Sequence, residues 1–366
     1  MACEHAASVV IVGAGGNIGS HLVPHVGRLP EVGRVVLVDP DTYERSNLAS
    51  QDIDACDVGR AKVEVQAARL ARIRPELAVE TEARPVQSVP LGRLRGDVIL
   101  TALDSRESRR WVNQAAFRLG VPWIDAGVQA DGLLARITMF RPAHDLPCLE
   151  CAWQDQDFAH LEVAYPCGGT PAAATGAPSA LGALAASLQA LECRNLLTGR
   201  PDTLPPGHEV LLDARHRRHF VTRLVRNPSC RFDHRTWAIE RLDEGPARLS
   251  LRGLARRMGS AVDAVSFAIE EHPFASRLVC ARCGRARATL VRPDRLAARD
   301  RTCRRCGGDM IPSGFHLLDR VALAPLSRRF FGRYVDCPLG ALGLQAGDVL
   351  RVDAYGRDRH FELGRD

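Results

Sequence analysis

Ser8-Val-Val-Ile-Val-Gly13-Ala-Gly15-Gly16-Asn-Ile-Gly19 begins with an apolar run and ends in glycines spaced G-x-G-x-x-G. The run Val9–Val12 has the continuous apolar character of a strand buried on both faces of a parallel sheet. The glycines fall where such a strand turns into a helix. Without Cβ atoms, Gly13 can make the tight turn, Gly15 admits a phosphate to the backbone, and Gly19 lets the helix pack on the strand. The unpaired N–H groups at the helix start then favour an anion. Arg34-Val-Val-Leu-Val-Asp39-Pro-Asp41 follows as the next strand, placing Asp39 where a carboxylate can hold a ribose hydroxyl. The stretch predicts a nucleotide site, and any dinucleotide-binding α/β enzyme offers the same glycines.

Downstream segments repeat the strand–helix alternation. A helix is predicted over 61–74, with Val63, Ala67, Leu70 and Ile73 on one face and Pro75 ending it. Short strands are predicted at 77–83 and 97–103, the second delivering Asp104 to its C-terminal end. A helix at 107–119, a strand at 121–126, a turn at 127–132 and a strand at 134–140 follow. This pattern predicts an α/β fold, a doubly wound Rossmann-like sheet extended by antiparallel strands. Residues 141–177 are rich in Gly, Pro and small side chains, and read as a crossover loop inserted in the first domain. A helix apolar on most faces is predicted over 179–197, buried in the domain or at a subunit contact. Strands at 209–213 and 220–225 suggest a hairpin.

The character changes near residue 240, so the expected domains are 1–240 and 241–366. One or two short helices are predicted over 249–258 and 260–271, a Cys-rich knot over about 278–308 and a terminal β-hairpin within 344–364. The 366 residues are 46% hydrophobic and 25% charged, with a formal charge of +6, which allows a large core and does not demand nucleic acid. No secretion signal or membrane-length apolar run is read, so a cytoplasmic location is expected. Twelve cysteines in a reducing compartment point to metal rather than disulfides. Lys62 is the sole lysine in a chain that otherwise uses arginine.

The order Asp39-x-Asp41, Ser46-Asn47-Leu48, Gln51 and Gly59-x-x-Lys62 resembles the adenylating domain shared by ThiF, MoeB, HesA and the ubiquitin-activating enzymes. The resemblance runs from about Val9 to Arg226. It implies ATP-dependent adenylation of the C-terminal carboxylate of a small ubiquitin-like or sulfur-carrier protein ending in Gly-Gly. Gly13, Gly15, Gly16 and Gly19 would hold the nucleotide and Asp39 the ribose, with Asp41 and Gln51 alongside. Asn47 would serve the phosphate region, Lys62 would neutralise phosphate charge, and Asp104 would bind Mg2+, with Arg109 and Asn113 following it. It also implies a homodimer. Ser50 stands where the family has Arg, and Arg45 and Arg60 are the nearby substitutes. Taken singly, Asp39 suits the ribose of NAD, Asp104 a helix cap, Asn47 a turn and Lys62 a solvated helix position.

Two zinc sites are expected. Cys148, Cys151, Cys230 and His234 form one, a mixed counterpart of the family's paired Cys-x-x-Cys. Cys280, Cys283, Cys303 and Cys306, each pair followed by Gly, have zinc-ribbon spacing. The ribbon is basic but has no aromatic residue between its knuckles, which argues against single-strand binding and for a further protein partner. Cys167, in the Gly/Pro-rich loop, is the candidate thioester acceptor, or else a cysteine of an ordered turn. Two rival functions are an NAD-dependent oxidoreductase, which leaves Lys62 and Asp104 without roles, and a non-catalytic scaffold, which Ser50 favours.

Overall fold

The computed structural model describes residues 6–162, 176–200, 202–322, 332 and 334–366. The chain divides into two compact units, one of residues up to 236 without 90–93, the other of 90–93 and 237–366.

In the first unit, β1 (Ala7–Val12), β2 (Val32–Val38), β3 (Ala78–Glu82), β4 (Val98–Thr101) and β5 (Trp123–Gln129) pair in parallel. Then β6 (Leu134–Phe140), β7 (His208–Asp213) and β8 (Arg218–Arg223) add on antiparallel, giving the order 3-2-1-4-5-6-7-8. The order reverses between β1 and β4, the position where open α/β sheets hold ligands beyond their strand ends. Val9–Val12 is buried throughout: Val9 and Ile11 join the core that also takes in α1 (Gly19–Gly27), α2 (Lys62–Ile73) and α5 (Ser179–Leu197). Side chains alternate along the strand, so Val10 and Val12 serve the opposite face. Gln189 of α5 donates to Thr101 O and Ile124 O at 3.0 and 2.7 Å, fastening that helix to the middle of the sheet.

The structure corrects several expected elements. β5 stays paired with β6 as far as Gln129 against Leu134, so the turn begins later than residue 127. Within the 141–177 stretch, residues Leu149–Ala152 form a 3-10 turn and α4 (Asp155–Glu162) is helical. Here Arg106 pairs with Asp157 at 2.5 Å and Arg231 stacks on Phe158, long-range contacts that no local pattern announces. The hairpin strands begin at His208 and Arg218 rather than 209 and 220.

In the second unit, α6 (Leu251–Arg257) occupies part of the first predicted helix. The second predicted helix is instead a 3-10 turn, Val262–Ala264, and a strand, β10 (Val265–Ala268). The strand wins because Val265–Ala268 pair residue by residue with β16 (Val349–Ala354), and tertiary pairing overrides a weak helical preference. β16 and β17 (Arg357–Glu362) form the terminal hairpin. A separate small sheet contains β11 (Phe274–Cys280), β12 (Ala286–Val291), β13 (Met310–Pro312) and β14 (Leu317–Leu318).

A Cβ built on Gly19 would lie 1.9 Å from Gly13 O and 2.7 Å from Ala14 C, both backbone atoms that cannot move aside. Gly19→Ala should therefore destabilise the first unit by about 2 kcal/mol or more, read as a lower urea midpoint at unchanged slope.

Candidate functional site

The loops after β1 and β4 face each other at the sheet's switch point. Gly13 sits at φ +82°, and a Cβ on it would be 2.4 Å from Ala102 O, so only glycine lets the two loops come this close. The Gly15 N–H donates to Asp39 Oδ2 at 2.8 Å, and the Asp41 N–H to Asp39 Oδ1 at 3.1 Å. Burial pushes the Asp39 carboxyl above its ordinary range, while the Lys62 charge and these two N–H bonds pull the other way. Lys62 begins α2, and its Nζ reaches Asp41 Oδ2 at 2.8 Å. The Lys62 side chain is 8% exposed against 61% for Asp41. Its methylene stem lies where a Gly15 Cβ would be, 2.4–2.8 Å from Cβ, Cγ and Cδ. Gly15 is thus required by the lysine as well as by any phosphate. A Cβ on Gly16 would meet nothing nearer than 3.7 Å, so sterics do not demand glycine there.

Asn47 Oδ1 accepts from the Glu44 N–H at 2.8 Å, closing a reciprocal cap on the 3-10 turn Arg45–Ala49. Its carbonyl accepts from the Ser50 and Gln51 N–H groups, and the buried Gln51 Oε1 has no hydrogen-bond partner among the described residues. Asn17 Nδ2 ties Ser50 O to Ala177 O at 3.0 and 2.9 Å. Arg60 is paired with Asp57 at 3.1 Å, whereas Arg45 is exposed and has no partner among the described residues. Asp104, past the end of β4, is exposed and has no side-chain partner among the described residues. The cap of α3 (Arg106–Leu119) is Ser105, whose side chain accepts from Ser108 N, so Asp104 does not have that role.

A buried polar row holds the Asp104 loop. Thr101, Asp125, Thr138 and Glu209 are successive neighbours across β4–β7. Asp125 Oδ1 accepts from Thr101 Oγ1 at 2.7 Å and Arg109 Nε at 3.1 Å, and its Oδ2 from Arg136 Nη2 at 3.0 Å. Arg109 also donates to Leu103 O, immediately before Asp104. Asn113 faces elsewhere: its Oδ1 accepts from Leu149 N at 3.1 Å and its Nδ2 reaches the buried Glu150 at 3.3 Å. It supports the Cys148–Cys151 turn, not a nucleotide.

Both cysteine groups converge. The donor atoms of Cys148, Cys151, Cys230 and His234 lie within 4.8 Å of one another, as do those of Cys280, Cys283, Cys303 and Cys306. His234 Nδ1 faces Leu146 O at 3.2 Å and its Nε2 faces Cys151 Sγ at 3.5 Å, the tautomer arrangement that presents Nε2 to a metal. Hydrogen bonding from Cys148 and then His234 pulls the Cys151 thiol down against its burial. In the second group, Gly284 and Gly307 have φ +67° and +71°. Their N–H groups donate to Cys280 O and Cys303 O, so each Cys-x-x-Cys closes as a knuckle. Both donor sets suit tetrahedral zinc.

The sequence profile of the ThiF family matches residues 4–232, more than half the chain. The chain belongs to the ThiF family. It is 33% identical over 232 residues to the sulfur carrier protein adenylyltransferase of Thermus thermophilus, covering 61% of this chain and 81% of that protein. It is 30% identical over 225 residues to the SAMP-activating enzyme E1 of Haloferax volcanii, covering 61% and 78%. Ubiquitin-like modifier-activating enzyme 5 of Oryza sativa subsp. japonica is 28% identical over 162 residues, and the chain spans only 37% of its length, with 40% of this chain covered. The crystal structure of E. coli MccB with MccA-N7isoASN shares the fold, with a TM-score of 0.50 at 22% identity over 62% of this chain and 66% of that one.

Within this ThiF-family unit the structure gathers Gly13, Gly15, Gly19, Asp39, Asp41 and Lys62 around one turn. Cys167 lies outside the described residues. Cys193 is buried in α5, and burial pushes its thiol up to about 12. The Asp125 row is absent from the sequence reading, because its members come from four strands and share no spacing. No helix among the described residues is long and apolar enough to cross a membrane. Metal analysis of the purified chain should return two zinc per chain. His234→Ala should retain one and lower the thermal midpoint of the first unit, while Cys280→Ser should retain the other.

Proposed function

We propose that this chain uses ATP and Mg2+ to adenylate the C-terminal carboxylate of a small ubiquitin-like or sulfur-carrier protein ending in Gly-Gly. The observation that carries the reading is a glycine turn after β1 with the buried Lys62 packed against it, while past the end of the neighbouring β4 Asp104 is exposed and has no side-chain partner among the described residues. The relatives named as a sulfur carrier protein adenylyltransferase and a SAMP-activating enzyme E1 support it.

In the proposed reaction a carboxylate oxygen of the carrier attacks the α-phosphorus of ATP. An acyl–O–P bond forms, the α–β bridging bond breaks, and pyrophosphate leaves. Two anions must meet, so positioning and charge stabilisation carry the rate. The turn from Gly13 to Gly19 holds the nucleotide and Asp39 holds its ribose. The Lys62 ammonium, released from Asp41, meets the developing phosphate charge. Asp104 holds Mg2+ through one carboxylate, where the ion would shield the phosphate oxygens. Asn47 and Gln51 line the phosphate side, and Arg45 supplies the guanidinium that Ser50 lacks. In a second step the Cys167 thiolate attacks the acyl carbon and AMP leaves, giving a thioester. The cysteine knot of the first unit is structural in this scheme. Leu184 and Leu191, exposed on α5 seven residues apart, suit the contact of a homodimer, and the location is cytoplasmic.

Ser50 also supports a second reading, a non-catalytic member that binds carrier without activating it. Carrier-dependent ATP–pyrophosphate exchange separates the two readings, since a scaffold shows none. Asp104→Ala and Lys62→Ala should each slow exchange by at least about a hundredfold, and full exchange in either would remove that residue from the mechanism. Cys167→Ala should leave exchange intact and remove a thiol-sensitive adduct with the carrier. If the wild type forms no such adduct, the second step is wrong.

A further inference from the structure

We infer that the cysteine ribbon of the second unit binds single-stranded nucleic acid. Ten arginines and two aspartates lie between Arg277 and Arg305, so this short segment alone outweighs the +6 of the whole chain. Part of that charge is internal: Arg292 and Arg295 pair with Asp294 and Asp348, and Arg287 with Asp300. Arg277, Arg285, Arg304 and Arg305 are exposed and have no carboxylate partner among the described residues. Four metal-bound thiolates would remove part of the positive charge without reversing its sign.

The aromatic platform missing between the knuckles lies beyond them. Phe315 is fully exposed, and Ile311 is 49% exposed. Register places them relative to the arginines. Ile311 of β13 is the partner of Val279 on β11, and residues two apart share a face, so Arg277, Val279 and Ile311 belong to the outer side of the small sheet. The other side carries Leu278, Cys280 and Met310 into the ribbon core. The chain leaves β13 through Ser313, whose N–H donates to Arg277 O, and His316 O accepts from Ser276 Oγ at 3.0 Å. The turn bearing Phe315 is thereby fixed at the end of β11 away from the knuckles. Ser276 and Cys280 are four residues apart on that strand, about 13 Å. The outer face with Arg277, Val279 and Ile311 thus lies between the knuckles, which carry the exposed Arg285, Arg304 and Arg305, and the turn that carries the exposed Phe315 ring. Phosphates need the guanidinium groups, and unstacked bases need the ring. A purely acidic partner has no use for Phe315.

The test is fluorescence anisotropy of a labelled dT20 oligonucleotide with the zinc-loaded full chain across a salt series. Four phosphate contacts give a slope of about −3 in log affinity against log salt, and dT20 should bind more tightly than its duplex. Phe315→Ala should weaken binding by about tenfold, and Arg277→Ala should lower the slope by about 0.7, each with zinc content unchanged. Absence of dT20 binding at 50 mM salt overturns the inference. So does wild-type binding by both variants, or displacement of dT20 by poly-glutamate with no effect of Phe315→Ala, which assigns the surface to an acidic protein.

Discussion

The hydrogen bond from the Gly15 amide to Asp39 is the constraint on which the site depends. It joins the turn after β1 to the end of β2, and the second oxygen of the same carboxylate takes the Asp41 amide. Asp41 in turn holds Lys62 at the start of α2 through both its side chain and its carbonyl. One buried carboxylate therefore orders three successive elements. A carboxyl group buried this deeply is tolerated because its oxygens receive N–H donors and a cation lies close by. The glycines answer to the same geometry: Gly13 yields to Ala102, Gly15 to the Lys62 stem and Gly19 to the Gly13 carbonyl.

On the other side of the crevice, the Asp104 loop is held from beneath rather than from its own sequence. Arg109 spans Asp125 and Leu103 O, and Arg136 closes the row toward Glu209. Asp125 is fully buried, and removing either arginine would leave a buried charge short of a partner. Farther out, Asn113 and Gln114 grip Glu150, so α3 supports the Asp104 loop at its start and the cysteine turn along its length. The Cys148–Cys151–Cys230–His234 cluster and the crevice thus share one helix. That gives the mixed site a mechanical reason to exist without a chemical role.

Much of the first unit is legible from periodicity. The bounds of Leu134–Phe140 and Ser179–Leu197 read from the pattern are those the structure has, since each is a long segment with one signal. The family motifs point to Asp39 and Lys62, which the structure brings to one turn, and the Cys-x-x-Cys spacing points to Cys280, Cys283, Cys303 and Cys306, which converge. What escapes the sequence is set by distant partners. α4 has no strong apolar stripe and is held by Arg106 and Arg231; β10 is a strand because β16 lies beside it. Asp125 is invisible because the row Thr101, Asp125, Thr138 and Glu209 draws one residue from each of four strands. Asn113 is close in sequence to Asp104, yet its side chain belongs to the cysteine turn.

Calorimetric titration of the ligand-free chain with MgATP and, separately, with NAD tests the central claim most directly, because it asks what the crevice between β1 and β4 holds. The account predicts saturable MgATP binding that is lost in Asp39→Ala and no heat with NAD. Saturable NAD binding without MgATP binding would contradict it.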